Sequence, residues 1–125
     1  LKGRSINIYG CEPQRANDAK RSFDSGTLQK NPAPPDTIAD GLRTNLCDRT
    51  FGYISRNVDD ILTVSEDSIK AAMKLIWERM KIVVEPSAAV TLAAVLTYPE
   101  IFAGKRTGLI LSGGNIDVAP FFAMI

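Results

Sequence analysis

Histidine is absent from the 125-residue chain, and cysteine occurs only twice, as Cys11 and Cys47. The lack of histidine excludes a Ser-His-Asp triad and a histidine-ligated metal from these residues. The two cysteines form no Cys-x-x-Cys motif, so the sequence favours reduced thiols in a cytoplasmic protein over a disulfide.

An excess of charge and a long apolar run are also missing. The formal net charge is +1, and the basic residues are mixed with acidic ones, so we expect no nucleic-acid partner. No run reaches the ~18 apolar residues of a membrane span, and the N-terminus has no apolar signal segment. Because the chain starts without methionine and just before a predicted strand, we expect it to be a piece of a longer polypeptide.

The first half of the chain alternates between strand and helix patterns. Ser5–Gly10 is typical of a short strand, and a helix is predicted from Asn17 or Asp18 to Ser25. Three prolines within four positions make Asn31–Gly41 a loop. The pattern favours a helix over Thr50–Asp60 and then a second strand, ILTVS.

The second half continues the alternation. Ser65 is expected to cap a helix whose apolar stripe is formed by Ile69, Ala72, Met73, Ile76 and Met80. Ser87 is expected to cap a second, fully buried helix that Pro99 ends. A third strand is predicted at TGLILSGG (107–114), followed by a terminal helix or tail. Such an alternation predicts an α/β fold with a parallel sheet.

Two groups of residues stand where ligands bind in such folds, beyond the carboxyl ends of strands. Ser112 is followed by Gly113 and Gly114. Because these residues have no Cβ, a flat ligand could approach their backbone; the alternative is that they simply form a tight turn after the strand. Glu12 and Asp18 are hard oxygen donors, although the residues alone favour a surface carboxylate for Glu12 and a helix cap for Asp18.

Five motifs in order give the chain a family resemblance: YGCEPQRANDA, TIADGL, VDDILTV, VEPSAAVTLAAVL and LSGGNID. Together they resemble the C-terminal part of the serine racemase and serine/threonine dehydratase family. These are pyridoxal-phosphate enzymes of the tryptophan synthase β-like fold, also called fold type II. The resemblance implies that residues 1–125 are the C-terminal portion of the parallel-sheet, cofactor-binding large domain.

The resemblance assigns cofactor contacts to four residues. Ser112 matches the serine that hydrogen-bonds the pyridine nitrogen, and Gly113 would let the ring lie close to the strand end. A neutral hydroxyl does not hold a proton on that nitrogen as a carboxylate does, so the ring is a weaker electron sink. Glu85 and Gly41 match positions near the cofactor.

A divalent cation and a nucleotide are implied in the same way. Glu12, the carbonyl of Ala16 and Asp18 match the family's cation ligands, and their oxygens suit Mg²⁺, Ca²⁺ or Mn²⁺. Lys81 and Asn115 match positions that bind ATP at the subunit interface of a homodimer in animal-type serine racemases. The alternative for Lys81 is a solvated lysine at a helix end.

No lysine of the chain has the family's Ser-x-Lys-x-Arg context, so the resemblance places no catalytic residue in it. The small domain and the N-terminal catalytic segment are likewise expected outside these residues, in the remainder of the same polypeptide. The implied activity is isomerisation of a small amino acid, serine, or β-elimination to pyruvate and ammonia. Two alternatives remain: a truncated, inactive relative acting as a binding or regulatory partner, and an unrelated nucleotide-binding α/β domain.

Overall fold

The structure, a computed structural model, describes residues 5–125. Two strands lie in this range, β1 (Tyr9–Pro13) and β2 (Asp60–Val64). They pair in parallel, with Tyr9 opposite Asp60 and Pro13 opposite Val64. The predicted α/β class with parallel strands is therefore confirmed.

Helices connect and flank the strands. The α-helices of the described residues are α1 (Asp18–Ser25), α2 (Asp48–Asn57), α3 (Glu66–Met80), α4 (Pro86–Thr97), α5 (Pro99–Phe102) and α6 (Val118–Met124). A 3₁₀ turn, Asp40–Leu42, ends the proline-rich loop. Gly26 closes α1 with a φ of 69°, as its position after the helix predicts.

The first strand begins later than Ser5–Gly10, the range that the sequence pattern favours. Its partner β2 begins only at Asp60, and the backbone pairing starts where Asp59 donates its N–H to the carbonyl of Ile8 at 2.8 Å. A strand extends only as far as its neighbour supplies hydrogen-bonding groups. Glu12 consequently lies inside β1 and not after it.

Helix α3 begins as predicted. The hydroxyl of Ser65 accepts a hydrogen bond from the backbone N–H of Ser68 at 3.1 Å, which is the expected N-cap contact. Four of the five predicted stripe residues are buried, whereas Met80, in the last turn, is 58% exposed. Lys81 then ends the helix in a left-handed conformation with a φ of 60°.

Helix α4 starts one residue before its predicted cap. Pro86 occupies the first turn, where its missing N–H costs nothing, and Ser87 is already helical. The helix packs against α3 and both strands, so that its alanine-rich surface forms the centre of the core. Phe121 of α6 is fully buried and packs in this core.

The predicted third strand, 107–114, is not a strand in the structure. Residues 106–112 make no backbone hydrogen bond within the described range, and Ile110 is 78% exposed. An apolar β-pattern gives a strand only when a neighbouring strand accepts and donates its hydrogen bonds. Among residues 5–125, β1 and β2 are not next to this segment in the sheet.

Candidate functional site

Three segments of the chain meet at the N-terminus of α4. The backbone N–H of Gly41, in the 3₁₀ turn, donates to the hydroxyl oxygen of Ser87 at 3.0 Å. The backbone N–H of Glu85 donates to the carbonyl oxygen of Gly113 at 3.2 Å. We call Gly41, Glu85, Ser87 and Gly113 the α4 N-terminal cluster. It brings together three of the four residues to which the family resemblance assigns cofactor contacts.

Ser112, the fourth, directly precedes Gly113 and is exposed. Because the residue is exposed, its hydroxyl is available to donate a hydrogen bond to a ligand. A pyridine nitrogen is a hydrogen-bond acceptor, so this side chain fits the ring nitrogen of pyridoxal phosphate.

The glycines after Ser112 have a packing role in addition to any role toward a ligand. A Cβ added to Gly113 would lie 2.6 Å from Oε1 of Glu85, and one added to Gly114 would lie 2.7 Å from the carbonyl oxygen of Val83. Both separations are shorter than ordinary van der Waals contact. The bare backbone thus lets the Ser-Gly-Gly segment pack directly against residues 83–85.

Two residues of the site escaped the sequence analysis. Ser87 was expected to cap a helix, but its hydroxyl instead holds the turn at Gly41. Glu66 was not singled out from the sequence; its Oε2 accepts a hydrogen bond from the backbone N–H of Ile38 at 2.8 Å and so anchors the loop leading to that turn. These contacts join positions 46 and 28 residues apart, and no local pattern signals them.

The carboxylates of Glu12 and Asp18 line one cavity of about 320 Å³. Both residues are buried, with exposed fractions of 7% and 3%. Asp18 accepts hydrogen bonds from the side-chain amide of Asn31 at 3.0 Å and from the backbone N–H of Leu46 at 2.9 Å. Asp18 therefore does not cap its own helix and Glu12 is not a surface carboxylate, so the simpler interpretation of this pair is wrong.

Electrostatics make this pair suitable for a cation. Burial raises the pKa of Glu12 to about 7, and the nearby negative charge of Asp18 raises this pKa as well. The backbone N–H of Lys20, which donates to Oε1 of Glu12 at 2.7 Å, acts in the opposite direction. A divalent cation between the carboxylates would offset the desolvation and the repulsion.

The donor set fits a hard cation only in part. Within residues 5–125, no three His, Cys, Asp or Glu side chains are grouped as metal ligands. Glu12 and Asp18 would have to be supplemented by the carbonyl of the buried Ala16 and by water, which Mg²⁺ and Ca²⁺ accept. The cation site therefore stays a prediction.

Lys81 and Asn115, the two residues predicted to contact ATP, lie close in sequence to Val83 and Gly114, whose backbones approach each other closely. Lys81 lies two residues before Val83, and its ammonium is 5.7 Å from the centroid of the Trp77 ring. Asn115 follows Gly114 and is exposed. Their placement on adjacent segments is compatible with one ligand, but ATP binding stays a prediction.

Comparison with known proteins identifies the family. The family model described as "Pyridoxal-phosphate dependent enzyme" matches residues 1–113. The chain belongs to this family. Ser112 and Gly113 are the last two residues of the matched range.

Individual relatives agree with this family and with the fold. The chain is 48% identical to serine racemase of Dictyostelium discoideum, over 92% of this chain and 36% of that protein. It is 45% identical to L-threo-3-hydroxyaspartate ammonia-lyase of Saccharomyces cerevisiae, over 100% of this chain and 40% of that protein. The structure of maize serine racemase superposes with a TM-score of 0.86 at 37% identity, covering 95% of this chain and 37% of that one.

These comparisons confirm the predicted fold type II class, and they also show a difference in length. The chain spans about a third of the curated relatives it matches first. No helix in the described part of this pyridoxal-phosphate family member is long and apolar enough to cross a membrane.

Proposed function

We propose that the chain is the C-terminal part of the large domain of a cytoplasmic pyridoxal-phosphate enzyme. The enzyme would isomerise serine, or eliminate water and then ammonia from serine, threonine or a similar β-hydroxy amino acid. The α4 N-terminal cluster supports this proposal, because Gly41 and Gly113 both hydrogen-bond to the start of α4 and the exposed Ser112 directly precedes Gly113. Relatives named serine racemase and L-threo-3-hydroxyaspartate ammonia-lyase support the substrate class.

Each residue of the cluster would have a distinct role toward the cofactor, whose ring supplies electron withdrawal when bound. Ser112 would donate a hydrogen bond to the ring nitrogen without protonating it, which favours rapid elimination or reprotonation over transamination. Glu85 would fix Gly113 through its backbone N–H, and Ser87 would hold the turn at Gly41 against the site.

The residue that removes the α-proton is proposed to lie elsewhere in the polypeptide. None of the lysines in the sequence stands in a Ser-x-Lys-x-Arg motif. The small domain would also come from that remainder, and the complete enzyme would be a homodimer. Glu12, Ala16 and Asp18 would hold a divalent cation, while Lys81 and Asn115 would contact ATP.

The deciding experiment reads the coding region upstream of Leu1 and expresses the complete enzyme. We expect a Ser-x-Lys-x-Arg motif and a glycine-rich phosphate loop there. The purified enzyme is then given L-serine, L-threonine and L-threo-3-hydroxyaspartate, and D-serine, ammonia and the keto acids are quantified. Absence of both racemase and lyase products in a protein that binds pyridoxal phosphate would contradict the proposal.

A second candidate is a truncated, inactive relative that binds or regulates another protein. Intact-mass analysis of the native protein distinguishes the two. A native product that begins near Leu1 supports the truncated relative, and a product about three times as long supports the enzyme.

A further inference from the structure

One loop carries Gly41 into the α4 N-terminal cluster. We call residues 37–43 the Gly41 loop, which includes the 3₁₀ turn. Thr37 and Ala39 are 2% and 0% exposed, whereas Gly41 is exposed. The loop therefore has a buried base, and its exposed part belongs to the cluster.

Two helices hold the Gly41 loop from two sides. Oε2 of Glu66, the first residue of α3, accepts a hydrogen bond from the backbone N–H of Ile38 at 2.8 Å. The hydroxyl of Ser87, in the first turn of α4, accepts one from the backbone N–H of Gly41 at 3.0 Å. Because α3 and α4 pack against each other, the two anchors share one support.

Internal hydrogen bonds make the Gly41 loop a single unit. Nε and Nη2 of Arg43 donate to the carbonyl oxygen of Thr37 at 3.1 and 2.6 Å. The backbone N–H of Leu42 donates to the carbonyl oxygen of Ala39 at 3.0 Å. A displacement at one anchor is therefore carried through the loop to the other.

The anchor on α3 leaves one of its own atoms unsatisfied. Oε1 of Glu66 is buried and has no hydrogen-bond partner among residues 5–125. A buried acceptor without a donor destabilises the folded state, and such atoms are rare in folded proteins. The contact between Glu66 and Ile38 thus combines a hydrogen bond with an opposing penalty, which points to a purpose other than stability.

We propose that Glu66 is a positioning residue of the cofactor site. Through the backbone of Ile38 it would fix the Gly41 loop, and thereby the distance of Gly41 from the cofactor. Glu66 itself would touch neither cofactor nor substrate. This inference rests on the proposed function, in which Gly41 borders the cofactor. Small displacements of groups around reacting atoms slow catalysis strongly, so a single loop anchor is sufficient to affect the rate.

The test compares three variants of the complete enzyme. Glu66→Ala removes the acceptor for Ile38, whereas Glu66→Gln keeps an oxygen that can accept the same hydrogen bond. Asp67→Ala is the matched control, because Asp67 is exposed and carries the other negative charge in the first turn of α3. It therefore removes the same interaction with the helix dipole.

We expect Glu66→Ala to lower kcat for L-serine by about ten- to a hundredfold, with a smaller change in KM. The circular dichroism of the bound cofactor should change as well, because its surroundings have moved. Glu66→Gln and Asp67→Ala should stay close to the unmodified enzyme in both measurements.

Stability and hydrogen exchange distinguish positioning from a merely structural role. In denaturant titration Glu66→Ala should be about as stable as Asp67→Ala, because the lost hydrogen bond is offset by removal of the unpaired oxygen. Amide exchange should become faster at Ile38 and also at Gly41 in Glu66→Ala, although the acceptor of the Gly41 amide, Ser87, is unchanged.

Three results would overturn the proposal. Glu66→Ala could match Asp67→Ala in kcat, Glu66→Gln could be as impaired as Glu66→Ala, or exchange at Gly41 could be the same with and without the Glu66 side chain. A loss of stability in Glu66→Ala that alone accounts for the loss of activity would overturn it too.

The outcome is separable from that of the proposed function. A complete protein that neither binds pyridoxal phosphate nor yields racemase or lyase products contradicts the function, while faster exchange at Gly41 in its Glu66→Ala variant still supports the link from Glu66 to Gly41. An active enzyme whose Glu66→Ala variant keeps its kcat supports the function and contradicts the positioning role.

Discussion

The backbone N–H of Glu85 donates a hydrogen bond to the carbonyl oxygen of Gly113 at 3.2 Å, and the Glu85 side chain leaves no room for a Cβ at position 113, which would lie 2.6 Å from Oε1. A segment that approaches from the C-terminal end of the chain is thereby held against the first turn of α4. The position of Ser112, one residue earlier, depends on this contact.

Replacing Gly114 by alanine should test how tightly this segment is packed. The added Cβ would lie 2.7 Å from the carbonyl oxygen of Val83, which is backbone and cannot rotate away. We expect a loss of about 1–3 kcal/mol in the free energy of unfolding, measured by denaturant titration. Gly108→Ala is the control, because no atom lies within 4 Å of a Cβ there. Equal costs at 108 and 114 would contradict the close approach.

Replacing Ser112 by alanine should weaken cofactor binding with little effect on folding. Folding should be little affected, because Ser112 is exposed. A neutral hydrogen bond contributes about 0.5–1.5 kcal/mol, so its loss should raise the Kd for pyridoxal phosphate roughly two- to twelvefold. Pyridoxal-phosphate affinity of the complete enzyme is measured by titration of its fluorescence. Ser55→Ala, on the exposed side of α2, should leave the affinity unchanged. An unaltered Kd for Ser112→Ala would exclude this hydroxyl from the cofactor site.

Local patterns predicted the helices better than the strands. The stripe of α3 and its Ser65 cap depend on neighbours three and four residues away, which the sequence displays directly. Strands depend on partners distant in sequence, and so β1 begins at Tyr9 instead of Ser5, while residues 107–114 have no partner strand among residues 5–125. The apolar pattern of that segment predicted a strand, and this prediction was wrong because the pattern alone cannot supply a hydrogen-bonding neighbour.

The candidate site was accessible only through the family motifs. Composition and spacing left Ser112 as a turn residue and Glu12 with Asp18 as ordinary surface groups. The resemblance named Gly41, Glu85 and Gly113, which the fold brings to the N-terminus of α4. It did not name Ser87 or Glu66, because their contribution is a hydrogen bond to a backbone group that becomes adjacent only after folding.

Glu12→Gln should abolish stabilisation by divalent cations. The substitution keeps an oxygen that accepts from the backbone N–H of Lys20 but removes a charge that a cation requires. With Mg²⁺, Ca²⁺ or Mn²⁺ at about 100 times its Kd, the unmodified protein should gain about 2.7 kcal/mol. Thermal unfolding is followed with each ion and with EDTA.

Asp24→Asn serves as the control for the cation experiment. Asp24 is an exposed carboxylate on the same helix as Asp18, and it pairs with Lys20 at the surface. Its loss should leave the response to the cation intact. A cation response that survives Glu12→Gln, or that disappears equally in Asp24→Asn, would contradict the predicted site.

The two thiols should differ strongly in reactivity toward iodoacetamide. Burial raises the pKa of Cys11 to about 11, so at pH 8 only about one molecule in a thousand carries the reactive thiolate. The hydroxyl of Thr50, 2.9 Å from Sγ, lowers the pKa of the exposed Cys47. Peptide mapping after brief labelling should find Cys47 modified first, with a rate that rises with pH. In Cys47→Ala, labelling should become slow until the protein unfolds, whereas rapid labelling of Cys11 in that variant would contradict the raised pKa that its partial burial in β1 causes.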